Sequence, residues 1–234
     1  MYSNPYSPPT AYGQGHQVAF SHAPTYAPLG TRLVLASLAL GFACFSSFAL
    51  DIAMLTFGDD MAKEEPTLES SLIIGGAGLV AVVASLTAAL FFCLWLHRAA
   101  KNLPALGRGG MQFTPGWSVG WFFIPFANLV KPLAAVSELW KASDPDLDPR
   151  EPYGWLGSAT TSLLPLWWAA WIGSSILGNI SGRIDDSSTA GAVGLAGSIV
   201  SVIAAVLCIV VMRGITSRQE RSAGVRTSQP QPQY

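Results

Sequence analysis

FTPGWSVGWFFIPFANLVKPLAAVSELWKAS, Phe113–Ser143, is the stretch on which the fold turns. It is dense in apolar and aromatic side chains, yet it carries three prolines, Asn128, Lys131, Glu138 and Lys141. If it crosses a bilayer the chain has five spans; if it does not, four. Trp117–Ile124 is almost wholly apolar, but Pro125 closes that run after eight residues. A helix needs about 20 apolar residues to cross the hydrocarbon, so this run is too short. From Phe126 to Trp140 the pattern is amphipathic. At about 100° per residue, Phe126, Leu129, Leu133, Val136 and Trp140 share one side, and Asn128, Lys131 and Glu138 the other. Pro132 kinks this helix or marks its new start. Such a helix, aromatic on one face, lies naturally in the interface plane or dips in and returns. Glu138 and Lys141 are placed to pair.

Outward from this stretch lie long charge-poor runs. Of 234 residues only 12% are charged, against about 25% in a soluble domain. The deficit is concentrated in runs expected to span: about 33–57, 72–96, 157–180 and 190–212. Asp51 interrupts the first only near its far end, where a carboxylate reaches water or caps. The second opens on Gly75, Gly76 and Gly78, with Ala81, Ser85 and Ala88 following, and the fourth carries Ala190, Gly194 and Ser198. Such rows let helix backbones approach closely in lipid. Pro165 predicts a kink in the third span, and Trp155 an interfacial anchor.

Positive charges decide between four and five spans. Eleven of the thirteen lysines and arginines fall on one side of a four-span chain, leaving only Lys63 and Arg183 opposite. A crossing at Phe113–Ser143 would destroy this bias. The positive-inside rule then places both termini and the central stretch in the cytoplasm. Residues 1–30, rich in proline and tyrosine, read as a disordered arm, in which Pro8-Pro9 beside Tyr12 offers a proline-type ligand at most. No base precedes Arg32, so the basic start of a secretory leader is not expected. Residues 215–234 read as a polar cytoplasmic tail.

Chemistry-bearing motifs are sparse. Cys44, Cys93 and Cys208 lie singly in apolar runs and read as small hydrophobes. His16, His22 and His97 have no metal-ligand spacing. Asp144, Asp146 and Asp148 open like a calcium loop, but Pro149 stands where glycine is required and Trp155 where the bidentate glutamate belongs. No metal, cofactor or nucleic acid is therefore expected. Arg98 and Asn102, at the end of the second span, together with Asn128, Lys131 and Glu138, are the candidates for a polar pocket contacting a lipid head group or another anion.

At these same residues the chain resembles an uncharacterised family of bacterial multi-pass membrane proteins, a domain of unknown function. WLHRAAKNLPALG supplies Trp95, Arg98 and Asn102. The signature PGW-x-VGWFFIP-x-xNL-x-KP…ELW-x-AS matches at Pro115, Gly116, Trp117, Gly120, Trp121, Pro125, Asn128, Leu129, Pro132 and Trp140. The resemblance covers roughly residues 30–215. It implies a membrane location and brings no activity or catalytic residues.

The expectation is thus an all-α integral membrane protein with four transmembrane helices and a central interfacial or re-entrant amphipathic helix. With no nucleophile–base, metal or phosphate-loop constellation in view, the leading function is a non-enzymatic scaffold or accessory protein in the cell membrane. Its partners would be membrane lipids, other membrane proteins or a cytoplasmic partner of the arm. A small permease or channel is the alternative. A lipid-acting enzyme using Glu138 and Arg98 has the least support.

Overall fold

The computed structural model describes residues 25–228. Most of the expected disordered arm, with its Pro8-Pro9 segment, lies outside the described residues, as does the end of the tail. The described chain is helical, with no strand among its residues. Its helices are α1 (Gly30–Met61), α2 (Leu68–Asn102), α3 (Pro115–Gly120), α4 (Lys131–Ala142), α5 (Leu163–Ser181) and α6 (Ser187–Ser228). α1, α2, α5 and α6 are long and apolar enough to cross a membrane.

Local chemistry sets the boundaries. Asp60 closes the turn between α1 and α2. Its carboxylate accepts from Lys63 Nζ, from Thr67 N–H and Oγ1, and from Ser70 Oγ, all between 2.6 and 2.9 Å. Thr67 then caps α2 by accepting the Ser70 N–H. Asn102 ends α2. Pro104 follows, and Gly107 turns back at φ 75°, a conformation glycine adopts without strain.

α1, α2 and α6 run beyond the expected spans. α2 has 35 residues and α6 has 42. At 1.5 Å per residue these are about 52 and 63 Å long, against roughly 30 Å of hydrocarbon. The polar tail expected from residue 215 is therefore helical through Ser228. The overhanging ends of α2 and α6 stand at the end of the bundle that also holds Leu29, α3 and α4. Trp95, Leu96, Ala99 and Leu103 of α2 bury against Val136, Leu139, Trp140, Trp155, Met212 and Ile215. This cap is the best-buried part of the molecule. The spanning portions are lipid-like on the outside: Leu38, Phe45, Leu79, Leu86 and Ile203 are all exposed.

The expected helix over Phe126–Trp140 is corrected. Phe126 has φ 62° and is 86% exposed, so the chain breaks there and α4 begins only at Lys131, with Pro132 in its first turn. Its apolar face packs on protein, not on an interface. The third span also starts later than expected, at Leu163, so Pro165 occupies the first turn, where its missing N–H costs no helical bond, and no kink is needed. Trp155 is buried and donates Nε1 to the Gly109 carbonyl at 2.9 Å, so it anchors the cap instead of an interface.

The small-residue rows divide. On α6, Gly194 lies against Ser181 and Asp51, and Gly197 against Leu177. Asp51 of α1 accepts a hydrogen bond from Ser198 Oγ, so the acid expected at the far interface ties α1 to α6. On α2, Ala81, Ala84 and Ala88 are buried, whereas a Cβ at Gly75, Gly76 or Gly78 would meet nothing within 4 Å. The packed row of α2 is its alanines.

Candidate functional site

Among the described residues no hydrogen bond or ion pair joins any two of the five residues expected to share a polar pocket; each has partners of its own. Asn102 is fully buried. Its Oδ1 accepts the Ala27 N–H at 3.1 Å, and its Nδ2 donates to the Ala27 carbonyl at 2.9 Å and to Gln219 Oε1 at 3.1 Å. Side-chain amide thus pairs with main-chain amide in both directions, as neighbouring strands do. Residues 25–29 of the expected arm are consequently ordered, with Leu29 fully buried. Gln219 continues the network by donating Nε2 to the Ala99 carbonyl (3.0 Å) and to Ser143 Oγ (3.1 Å). One turn away, Trp95 Nε1 donates to Thr216 Oγ1 at 3.1 Å.

Arg98 donates Nη2 to the Thr25 carbonyl at 2.8 Å. Its buried Nε and the buried hydroxyl of Tyr26 have no hydrogen-bond partner among the described residues. Burial, reinforced by Glu220 and opposed by Arg98, pushes the Tyr26 hydroxyl up to about 12.

Glu138 is corrected from the polar face of an interfacial helix to a loop tether. It is 9% exposed and accepts the backbone N–H of Gln112 (2.8 Å) and of Phe113 (3.2 Å). Its carboxylate is therefore spent on the loop and not on Lys141. Burial pushes its carboxyl above the ordinary glutamate range, against the pull of those two N–H groups.

Lys131 stands 5.7 Å from the Trp121 ring centre in a cation–π contact. Trp121 packs against Trp117 with ring centres 4.9 Å apart and planes tilted by 34°. Asn128 lies in the short turn Ala127–Leu129, its N–H bonded to the Ile124 carbonyl. The neighbouring Leu129 carbonyl accepts Trp168 Nε1 from α5 at 2.8 Å. Trp140 packs under Arg218, whose guanidinium carbon lies 4.4 Å from the ring centre. Pro115, Gly116 and Trp117 open α3 behind the Thr114 cap.

Two cap residues escape sequence reasoning. Arg108, buried, donates to the carbonyls of Ala142, Asp144, Leu147 and Asp148 at 3.1–3.5 Å. These are the backbone oxygens of the acidic linker that mimics a calcium loop, while Asp144 and Asp148 accept the N–H of Asp146 and Arg150. Gln219 is the other. Val211, Met212, Ile215, Thr216, Gln219 and Ser222 are all buried, and their spacing is that of one helix face. Half of them are polar, so no hydrophobic periodicity reveals it.

The apolar half of the central stretch acts elsewhere. Phe122 contacts Phe92 of α2 at 5.5 Å and Trp168 of α5 at 6.0 Å, and Phe92 contacts Trp167 at 6.2 Å. These rings close one end of a cavity of about 360 Å³ between the four long helices. Its walls are apolar except for the hydroxyls of Ser47, Ser85 and Ser201, and all three cysteines reach it. Among the described residues no group of three histidines, cysteines or acids is arranged to hold a metal.

A family model described as a domain of unknown function (DUF4328) matches residues 63–217. No curated protein and no solved structure matches the chain.

Proposed function

The chain belongs to that family, a domain of unknown function (DUF4328), and since membership carries no activity we propose a non-enzymatic scaffold or accessory protein of the cell membrane. It acts through lipid and protein contacts, with both termini and the cap in the cytoplasm. One observation carries this reading. The polar side chains best placed for chemistry are spent on the chain's own backbone: Arg98 on Thr25, Asn102 on Ala27, Glu138 on Gln112 and Phe113. Bonds of this kind order the chain's own backbone, which supports a structural role for these groups. The orientation rests on the eleven-to-two charge bias.

Cysteines placed at the exposed Lys101, Lys63 and Arg221 test the topology with an impermeant maleimide in right-side-out cells. Labelling at Lys63 alone is expected; labelling at Lys101 or Arg221 overturns the orientation. For the role itself, the protein is purified from native membranes after cross-linking, with and without residues 1–24. A stoichiometric partner is expected, and a hydrolytic or transferase activity lost in Glu138→Gln overturns the reading. A small permease or channel is the second reading, favoured by the cavity among the spans. Solute flux in reconstituted vesicles that falls in Lys131→Ala would support it.

A further inference from the structure

The four long helices do not enclose one another evenly. α1 packs along α2 and α6, and α5 packs along α6, but α2 and α5 do not pack side by side. The ring closed by three helix pairs is left open at the fourth. Phe122, from the central stretch, fills that gap at the cap end by reaching both Phe92 and Trp168. Beyond these rings, toward the middle of the bundle, the gap leads into the 360 Å³ cavity. Phe123, 71% exposed, lines the cavity next to them.

We propose that this cavity is a binding site for one hydrocarbon chain of a bilayer phospholipid, entering sideways between α2 and α5. Size, polarity and access each favour that occupant. The volume lies within the roughly 300–1,000 Å³ of ordinary ligand sites, and is more than twice the about 150 Å³ of an apolar cavity that stays dry and admits benzene. No charged side chain lines it, so it offers nothing to a head group, an ion or a charged metabolite. A chain in the cavity gains dispersion contacts with the walls and leaves no polar group of its own unpaired. The open side faces the bilayer, where hydrocarbon chains are the solvent, while Phe92, Phe122, Trp167 and Trp168 close the route from the cap. The hydroxyls of Ser47, Ser85 and Ser201 are few against the apolar wall, and a helical serine hydroxyl can turn to the carbonyl of the preceding turn when hydrocarbon fills the space beside it. The head group of the bound lipid then lies at the membrane surface beside the exposed Phe126 and the exposed Trp117, whose amphipathic indole suits that depth.

This site is independent of the scaffold reading, since it requires only the four-helix bundle and not a partner. The full chain is reconstituted into nanodiscs of phosphatidylcholine that contain a minor fraction of the same lipid with a diazirine at the end of one acyl chain. After irradiation, adducts are mapped by mass spectrometry. The expected result is enrichment at the lining residues Ser85, Ala88, Ala89 and Cys93 of α2 and Ser201, Ala204, Ala205 and Cys208 of α6 over the outward residues Leu86, Leu90, Val202 and Val206 of the same helices. Ala204→Phe projects a ring into the cavity and reduces the cavity adducts to the level of the outward positions. If Ala204→Phe does not fold, Ser85→Phe serves the same purpose from the α2 wall. The native thiols give a second measurement on the unmodified protein. Alkylation of Cys93 and Cys208 by membrane-permeant N-ethylmaleimide is slower in nanodiscs than in a short-chain detergent. Adducts spread evenly over inward and outward positions, or cavity adducts that persist unchanged in both filled variants, overturn the proposal. Failure to recover a protein partner bears on the scaffold reading alone.

Discussion

Replacing Asn102 by alanine should release the segment Thr25–Leu29 from the cap. Asn102 makes three hydrogen bonds, two to Ala27 and one to Gln219. Each contributes about 1 kcal/mol net, and a buried acceptor left without a donor costs more. The Ala27 N–H and carbonyl regain partial access to water, but Gln219 Oε1 stays buried because Gln219 is itself fully enclosed. The expected loss is about 3 kcal/mol. The two bonds to Ala27 account for about 2 kcal/mol of this, so at 1.4 kcal/mol per tenfold local opening at Ala27 becomes roughly thirtyfold more frequent. Amide hydrogen exchange in nanodiscs reads this directly, because protection reports the opening equilibrium. Asn102→Asp sharpens the test. The carboxylate still accepts from the Ala27 N–H, but it replaces a donor with an acceptor opposite the Ala27 carbonyl and Gln219 Oε1. Gln219 has no easy way to turn its amide round, since Nε2 is already engaged with Ala99 and Ser143. Aspartate should therefore be at least as damaging as alanine at neutral pH. If protection at Ala27 survives Asn102→Ala unchanged, or if aspartate restores it, the two-way amide clamp does not hold the segment.

Three further substitutions address the rest of the cap and the end of α6. The folded-state pKa of Glu138 lies above its ordinary 4.5, so its contribution to stability is fully present below that value and is lost as pH rises through the raised one. The melting temperature of the wild type relative to Glu138→Gln should accordingly fall as pH rises from the ordinary glutamate value, and the opposite slope would refute the burial argument. A Cβ at Gly214 would come within 2.6 Å of the Trp140 ring. Because that ring is rigid and lies under Arg218, Gly214→Ala should cost about 1–3 kcal/mol by overpacking. Gly224→Ala, with nothing within 4 Å, should instead stabilise α6 by about 0.5–1 kcal/mol, both read as shifts in melting temperature.

What was legible in the sequence follows from what carries a signal there. Four spans are written in the long charge-poor runs, and the charge bias correctly removes a fifth. Pro125 correctly divides the central stretch. The pairing of its halves is not written. Periodicity extends the amphipathic face back to Phe126, because a positive φ at a phenylalanine has no sequence signature; it is imposed by neighbours, among them Trp168 drawing in the Leu129 carbonyl. The five candidate polar residues were identifiable as unusual, since charged and amide groups rarely sit in so apolar a setting. Arg98, Asn102 and Glu138 find main-chain partners at Thr25, Ala27, Gln112 and Phe113, and main chain is the same in every sequence. Arg108 and Gln219 were hidden for the same reason.

These tethers have one consequence for the central stretch. Glu138 fixes the loop that leads into α3, and Trp168 fixes the turn that leads into α4. Both ends of the apolar wedge are thus held by single side chains from elements on either side of it. The wedge is only about eight residues long, too short to be stable as a helix by itself. Its depth between α2 and α5 therefore depends on how α4 and α5 are positioned. Loosening either tether should move Phe122 relative to Phe92 and change access to the cavity, without unfolding the four long helices. The polar tethers of the cap and the packing of the four long helices can therefore respond separately to a mutation. The aromatic run of Phe113–Ser143 is the element through which the two are joined.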